Sequence, residues 1–179
     1  VIGFMGVDNP NHKYEDSSLL SSLQFFVSNS LVAKERQERL RMLSYNDMLT
    51  GLYNRNKYIR TVEAYTEKSL ENVGVAYLDL NGLKRTNDRF GHEAGDRLIK
   101  NASSEISAVF PNSCYRVGGD EFVIISMDTE KDVFENMIDE LKTHSRENRI
   151  SISVGAMWSD KCDDLEKLLK AADKLMYDD

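Results

Sequence analysis

The sequence predicts a mixed α/β domain of the α+β type, built on an antiparallel-centred sheet with a split βαβ arrangement and preceded by a long N-terminal helix. Three observations predict this fold. An apolar run without alternation at 73–78 is typical of a strand covered on both faces. A Gly-Gly-Asp turn at 118–120 separates strand-like runs at 113–117 and 121–126, and we expect its glycines to take the positive φ angles of a tight hairpin. Helical stretches outside the hairpin complete the split βαβ order.

Residues 1–46 are expected to lie outside this domain. The apolar run at 1–7 predicts one strand, ended by turn-forming residues at 8–10, and its start at Val1 suggests a piece of a longer protein. Between residues 17 and 44 apolar side chains recur at three- and four-residue spacing, and the second half is nearly all charged. This pattern predicts a linker helix or a short coiled coil, while packing of its apolar half on its own domain is an equal alternative.

The domain itself is expected at 47–179. Gly51 ends the preceding helix, and Asn54 is positioned to cap a new helix that reaches about Ser69. Periodicity predicts the remaining elements in chain order: helices at about 82–90 and 92–110, the hairpin, a helix at 130–145, an alternating strand at 150–157 and an amphipathic helix at 163–177.

Composition excludes several classes of function. The apolar share of 41% and the charged share of 30% are typical of a globular cytoplasmic protein. A net charge of −7 argues against nucleic-acid and anionic-lipid partners, and the lack of an 18-residue apolar run argues against membrane contact from this segment. Cys114 and Cys162 form no Cys-x-x-Cys pattern, so we expect both to be buried in a reducing compartment.

Three acidic residues stand at the ends of predicted strands. Asp79 follows the buried run at 73–78, and Asp120 and Glu121 stand at the hairpin tip. Because the hairpin of a split βαβ sheet lies beside the first strand, all three carboxylates can converge at one rim, where a hard cation such as magnesium would relieve their repulsion. On spacing alone an alternative is equally open: Asp79 caps the next helix and the hairpin acids are simply solvated.

The segment after Asp79 favours a ligand with phosphates. Residues 81–84 read Asn-Gly-Leu-Lys at the start of a predicted helix, where free backbone N–H groups and a lysine side chain can bind phosphate. Asn87 and the acidic residues that follow offer the donor and acceptor pattern that suits the edge of guanine better than adenine, although this signal is weak alone.

Three ordered motifs carry a resemblance to a known family. Residues 47–55 read Asp-x-Leu-Thr-Gly-Leu-x-Asn-Arg, residues 78–96 read Leu-Asp-Leu-Asn-Gly-Leu-Lys-x-x-Asn-Asp-x-Phe-Gly-His-x-x-Gly-Asp, and residues 116–122 read Arg-Val-Gly-Gly-Asp-Glu-Phe. Together, over Asp47–Tyr177, they closely resemble the GGDEF family of diguanylate cyclases.

The resemblance implies a fold related to the polymerase palm and the class III nucleotide cyclases. It also implies condensation of two GTP molecules into cyclic di-GMP with loss of two pyrophosphates. Asp79, the Leu80 carbonyl and Glu121 would hold Mg²⁺, with Mn²⁺ as a substitute, and Asp120 would act beside the attacking hydroxyl as general base or further ligand. The remaining positions would bind substrate. Gly82, Leu83 and Lys84 would bind the phosphates, and Asn87 and Asp96 would bind the guanine. His92 would lie close to the nucleotide.

The family's chemistry implies a homodimer, since each domain binds one GTP, and the helix at 17–44 is the expected control of dimerisation. Residues 1–10 resemble the last strand of a GAF sensor domain.

The chain also departs from the family pattern. Val109 and Asn112 occupy the positions of the Arg-x-x-Asp inhibitory site, so product feedback there should be absent. The chain ends before a Lys and an Arg that contact the triphosphate in the family, so we expect the domain to be C-terminally truncated and weaker in GTP binding.

The rival hypothesis is a catalytically inactive GGDEF module that binds nucleotide or dimerises as a regulator. The intact Gly-Gly-Asp-Glu-Phe hairpin at 118–122, together with Asp79 and Asn87, favours the enzyme. A cyclase that uses adenine, or makes mixed products, is disfavoured by Asp96.

Overall fold

A computed structural model describes residues 17–66 and 68–177 of the chain. The chain divides into two compact units, Val1–Met42 and Leu43–Asp179. The strand predicted at 1–7 and the GAF-like segment at 1–10 lie outside the described residues. Among the described residues no helix is both long enough and apolar enough to cross a membrane.

The helix predicted at 17–44 is confirmed as α1, Ser17–Tyr45. The described side chains from 21 to 40 are all exposed, and they include large apolar ones such as Phe25, Phe26 and Leu40. An apolar stretch of this kind is typical of a helix that binds another surface.

The second unit contains five strands and five helices among its described residues, and apart from β1 they follow the predicted order. They are β1 Tyr53–Asn54, α2 Arg55–Tyr65, β2 Leu70–Leu80, α3 Leu83–Phe90, α4 His92–Val109, β3 Cys114–Arg116, β4 Glu121–Ser126, α5 Lys131–Glu147, β5 Ile152–Cys162 and α6 Leu165–Tyr177. Asn54 caps α2 as predicted, since its side chain accepts a hydrogen bond of 3.0 Å from the Lys57 N–H.

The sheet has the order β1-β3-β4-β2-β5, and every neighbouring pair is antiparallel except β1 with β3. The hairpin of β3 and β4 therefore lies beside β2, as the split βαβ prediction requires, and β4 is the middle strand. The predicted fold class is confirmed.

Two strands differ from their predicted form. β2 and β5 are each longer than predicted, because they pair with each other from Leu70 opposite Cys162 to Leu80 opposite Ile152. The sequence does not indicate this pairing, because the end of β5 is polar. An edge strand pairs through its backbone, and its polar side chains can stay in solvent. The two-residue strand β1 is too short to give a periodic signal and was not predicted.

Helices cover both faces of the sheet. Ala76, Leu78 and Leu80 of β2 face α4 and α5, where the rings of Phe110 and Phe134 meet with centroids 6.0 Å apart. The opposite face packs against α2 and α6 through a second buried cluster: Val62, Val73, Val75, Val123, Leu165 and Leu169.

Both cysteines are free and buried, as predicted. Cys114 lies in the first cluster and Cys162 in the second, on opposite faces of the sheet. Burial raises the pKa of the Cys114 thiol to about 12, so at neutral pH it is an uncharged apolar side chain.

An ion pair connects the turn before α2 to the hairpin. The Arg116 Nη1 lies 3.0 Å from the Asp47 Oδ1, and the Arg116 Nη2 donates to the Gly119 carbonyl at 2.8 Å. Asp47 also accepts hydrogen bonds from the backbone and hydroxyl of Thr50. Burial alone would raise the pKa of Asp47, but the bonds from Thr50 and Arg116 outweigh it and lower the pKa.

Gly155→Ala tests the close approach of α6 to the sheet. A Cβ at Gly155 would overlap backbone atoms of Ala172 and Met176, and backbone cannot move aside as a side chain can. We expect the variant to lose about 1–3 kcal/mol of unfolding free energy in urea titration, the usual cost of overpacking. Gly119→Ala, where nothing lies within 4 Å of the added atom, is the control. Equal stability of both variants would contradict the close packing.

Asp47→Asn tests the ion pair with Arg116. At pH 7 we expect the variant to be less stable than wild type by about 1.5–3 kcal/mol, the range for hydrogen bonds to charged groups. Because the folded-state pKa of Asp47 lies below its unfolded value, this advantage is full above the unfolded pKa and disappears as pH falls through the folded pKa.

Urea unfolding of both proteins from pH 7 down to pH 2 measures this difference. The control is Glu135→Gln, which removes an exposed pair with Lys131 at 3.7 Å and should cost less than about 1 kcal/mol. A difference between wild type and Asp47→Asn that stays constant with pH would show that the Asp47 charge does not stabilise the fold.

Candidate active site

The register of β2 and β4 sets two carboxylates opposite each other. Asp79 pairs with Glu121 in the antiparallel ladder, so both side chains leave the same face of the sheet. Both residues are half-buried. The pKa of Asp79 is raised by burial and by the nearby negative charge of Asp120.

Asp120 lies in the loop directly before β4, and its carbonyl accepts a 2.9 Å hydrogen bond from the Leu80 N–H. This bond holds the hairpin tip against the end of β2. The three acidic residues singled out in the sequence, together with Leu80, thus lie at one rim of the sheet. Like charges at such short range favour the binding of a cation.

The donors at this rim suit a hard cation, since they are carboxylate and carbonyl oxygens. Within residues 17–66 and 68–177, however, no group of three His, Cys, Asp or Glu side chains is arranged as a metal site. The predicted ligand set of Asp79, Glu121 and the Leu80 carbonyl includes only two such side chains. The metal site therefore stays a prediction.

The hairpin glycines do not have the predicted conformation. Positive φ angles among the described glycines occur at Gly51, Gly82 and Gly91, and neither Gly118 nor Gly119 has one. A Cβ at position 118 would overlap the Glu121 carboxylate, so any other residue there would require that side chain to move. The chain turns over the loop 117–120, where the Val117 and Gly118 N–H groups both donate to the Glu121 carbonyl.

The turn after β2 leads directly into α3. Gly82 is the N-cap of α3 with φ +79°, so the alternative in which Asp79 caps this helix is wrong. The Asn81 N–H donates to the Ser151 carbonyl, and the Asn81 amide donates to the Ser153 hydroxyl. The backbone N–H groups at the start of α3, including that of Leu83, have no acceptor within the helix and can bind an anion.

Lys84 is exposed and lines an open depression of about 530 Å³. The same depression is lined by Gly82, Arg85, Asp88 and Arg89, so two further cations stand one helical turn apart beside the lysine. Arg85 and Arg89 are not among the predicted site residues, although their four-residue spacing on a predicted helix is a signal in the sequence.

Asn87 and Gly95 mark a close contact between α3 and α4. The Asn87 Oδ1 is buried without a hydrogen-bond partner, and a Cβ at Gly95 would overlap that oxygen. A buried acceptor without a partner is uncommon in folded proteins. Asp96 and His92, the other predicted nucleotide contacts, are exposed on α4. This pair of helices therefore presents the exposed Asp96 carboxylate to a ligand, while the Asn87 Oδ1 faces Gly95 and would have to turn outward to bind one.

The two positions that match the family's Arg-x-x-Asp inhibitory site do not carry the charged residues of that motif. Val109 is the last residue of α4 and is buried in the core, while Asn112 is exposed in the following turn with φ +61°. Neither offers the charge that the motif carries.

Comparison with known proteins gives the family of this domain. Residues 44–179 match the family described as "Diguanylate cyclase, GGDEF domain". The chain is 34% identical to cyclic di-GMP phosphodiesterase PdeR of Escherichia coli over 164 residues, which are 84% of this chain and 25% of PdeR. It is 28% identical to diguanylate cyclase DgcS of Shewanella oneidensis over 171 residues, 90% of this chain and 58% of DgcS. The chain thus spans a quarter to somewhat over half of these relatives.

A solved structure shares the fold. The coiled coil and GGDEF domain of DgcB from Caulobacter crescentus, in complex with c-di-GMP, superposes with a TM-score of 0.73 at 23% sequence identity. The alignment covers 90% of this chain and 93% of the DgcB chain. With the family match over residues 44–179, these findings show that the chain belongs to the GGDEF diguanylate cyclase family.

Proposed function

We propose that this chain is a diguanylate cyclase domain, which condenses two GTP molecules to cyclic di-GMP and releases two pyrophosphates. The observation that carries the proposal is the direct pairing of Asp79 with Glu121, at the rim where Asp120 also lies. Phosphoryl transfer needs accurate positioning and neutralisation of charge more than covalent help from the protein. A rim of carboxylates beside a phosphate-binding turn supplies both.

Asp79, Glu121 and the Leu80 carbonyl would hold Mg²⁺, or Mn²⁺ in its place. The ion would polarise the phosphate that is attacked and neutralise charge on the leaving pyrophosphate. The N–H groups of Gly82 and Leu83 and the Lys84 ammonium would bind the phosphates, and Arg85 can add a further positive charge from the same depression.

Asp120 has two assignable roles in the proposed reaction. As a general base it would accept the proton of the attacking 3′-hydroxyl, and as a further ligand it would complete the coordination of the cation. The raised pKa of Asp79, to which the charge of Asp120 contributes, is consistent with either role because both bring the carboxylates together.

Asn87 and Asp96 would recognise the guanine. The Asn87 amide can bond a base once its side chain turns away from Gly95, and the exposed Asp96 carboxylate can accept a hydrogen bond from a base N–H group. His92 begins α4 on the same side as Asp96 and would lie near the nucleotide. Adenine lacks the paired donors that these acceptors require, so GTP is the substrate this site favours.

The reaction requires two copies of the domain, each bringing one GTP. Exposed apolar side chains on α1, among them Phe25, Phe26 and Leu40, support a helix that pairs with its counterpart in a second copy. The DgcB structure is described as a coiled coil with a GGDEF domain. We therefore propose a homodimer controlled through α1.

A regulatory module without turnover is the second candidate. PdeR, a relative of which this chain covers a quarter, is named a phosphodiesterase and not a cyclase. Mass analysis of the products formed from GTP and Mg²⁺ by the full chain discriminates the two, because only the enzyme yields cyclic di-GMP.

Glu121→Gln tests the metal assignment. The amide keeps the shape of the side chain but is a much poorer ligand for Mg²⁺, so we expect cyclic di-GMP formation to fall by roughly 100-fold or more while the fold is retained. Circular dichroism and chromatographic product analysis measure the two properties. Glu71→Gln, at the exposed far end of β2, is the matched control and should retain full activity. Unchanged turnover in Glu121→Gln would refute the assignment.

Gly95→Ala tests guanine recognition. The added methyl group would displace the Asn87 Oδ1, so we expect the preference for GTP over ATP to fall by about 1–3 kcal/mol, the cost of leaving a buried polar group unpaired. Asn87→Ala should have the same effect, and Ser104→Ala, exposed on the same helix, should have none. Competition binding of GTP and ATP measures the preference, and equal preference in all four proteins would overturn this assignment.

A further inference from the structure

Two tyrosines connect α2 to β2, the strand that carries Asp79. The hydroxyl groups of Tyr58 on α2 and Tyr77 on β2 are hydrogen-bonded, with the oxygens 2.8 Å apart. Both side chains are half-buried and line a cavity of about 280 Å³ between α2 and α6. Because a half-buried hydroxyl without its partner is costly, the bond fixes the orientation of both rings.

Tyr77 is also a neighbour of the paired carboxylates. It precedes Asp79 by two residues on β2, so both side chains leave the same face. Its partner on β4 is Val123, and Glu121 therefore lies on the adjacent diagonal, within reach of an aromatic side chain. The pKa of Tyr77 is raised by burial, by Tyr58 and by the charges of Asp173 and Glu121. The ring thus lies in the electrostatic range of Glu121.

We propose that Tyr77 is a positioning residue for Glu121, and that the Tyr58 hydroxyl holds Tyr77 in the orientation that this role requires. The ring limits the directions in which the Glu121 carboxylate can turn, so the carboxylate stays opposite Asp79. Tyr58 then connects α2 to the metal ligands through one hydrogen bond. The inference rests on the proposed function, because Glu121 is a metal ligand only there.

The chain contains a matched control for this pair. Tyr115 on β3 flanks Val123 from the other side, and its hydroxyl donates to the Thr61 Oγ1 of α2 at 3.3 Å. Burial and the neighbours Tyr53, Tyr65 and Cys114 raise the pKa of Tyr115, and no carboxylate contributes. Loss of this hydroxyl removes a bond between the sheet and α2 and leaves the hydrogen bond between Tyr58 and Tyr77 in place.

Binding of Mn²⁺ in the presence of GTP tests the proposal on the full chain. Electron paramagnetic resonance of free Mn²⁺ gives the concentration at half-saturation for wild type, Tyr58→Phe, Tyr77→Phe, the double variant and Tyr115→Phe. We expect Tyr58→Phe and Tyr77→Phe each to raise the Mn²⁺ concentration at half-saturation about tenfold. This is the lower end of the effect of losing a residue that supports a metal ligand. The double variant should match the singles, since both remove the same bond.

Tyr115→Phe should leave Mn²⁺ binding within about twofold of wild type while losing similar thermal stability, since it also loses one hydroxyl bond. Equal weakening by Tyr115→Phe, or none by Tyr58→Phe and Tyr77→Phe, overturns the positioning role. If wild type binds Mn²⁺ with GTP but forms no cyclic di-GMP, the proposed cyclase activity is refuted. The comparison of Mn²⁺ binding among the variants then still decides whether Tyr77 positions Glu121. Wild type that binds no Mn²⁺ with GTP would overturn both proposals.

Discussion

The backbone register between β2 and β4 is the constraint on which the candidate site depends. Side chains in an antiparallel pair alternate between faces, so a slip of one residue would turn either Asp79 or Glu121 to the opposite face. The register is held by the apolar residues further along both strands, such as Leu78 and Phe122, which must stay in the core. The hydrophobic core thus determines where the acidic groups stand.

Negative charges gathered at a sheet rim oppose folding, and the structure accommodates them by local means. Asp79 and Glu121 remain half-buried instead of entering the core. The Leu80 N–H donates to the Asp120 carbonyl, so β2 holds the hairpin tip without using a carboxylate oxygen of Asp79, Asp120 or Glu121. Glycine at 118 leaves room for the Glu121 side chain. These arrangements keep the acidic oxygens available to a ligand, at a cost in stability that the two buried clusters offset.

Sequence patterns predicted the helices, the hairpin and its place beside β2, because each has a strong local signal in periodicity, turn residues or caps. They failed where structure depends on distant partners. The end of β5, from Ser159 to Cys162, extends the sheet only because β2 lies beside it. At the site, the acidic residues and Asn87 were predictable from motifs. The hydrogen bond between Tyr58 and Tyr77 was not, because it joins two elements whose contact arises from packing alone.

The strand order has a consequence for the synthesis of this protein. β2 ends at Leu80, but both strands that pair with it, β4 and β5, come later in the chain, and β5 ends at Cys162. An emerging polypeptide therefore carries an apolar strand whose two hydrogen-bonding edges are both open until β4 emerges, and one of which stays open until β5 follows. Such exposed edges can pair with other chains. The nascent domain is thus open to aggregation until β5 has emerged, when the sheet can close in one late step.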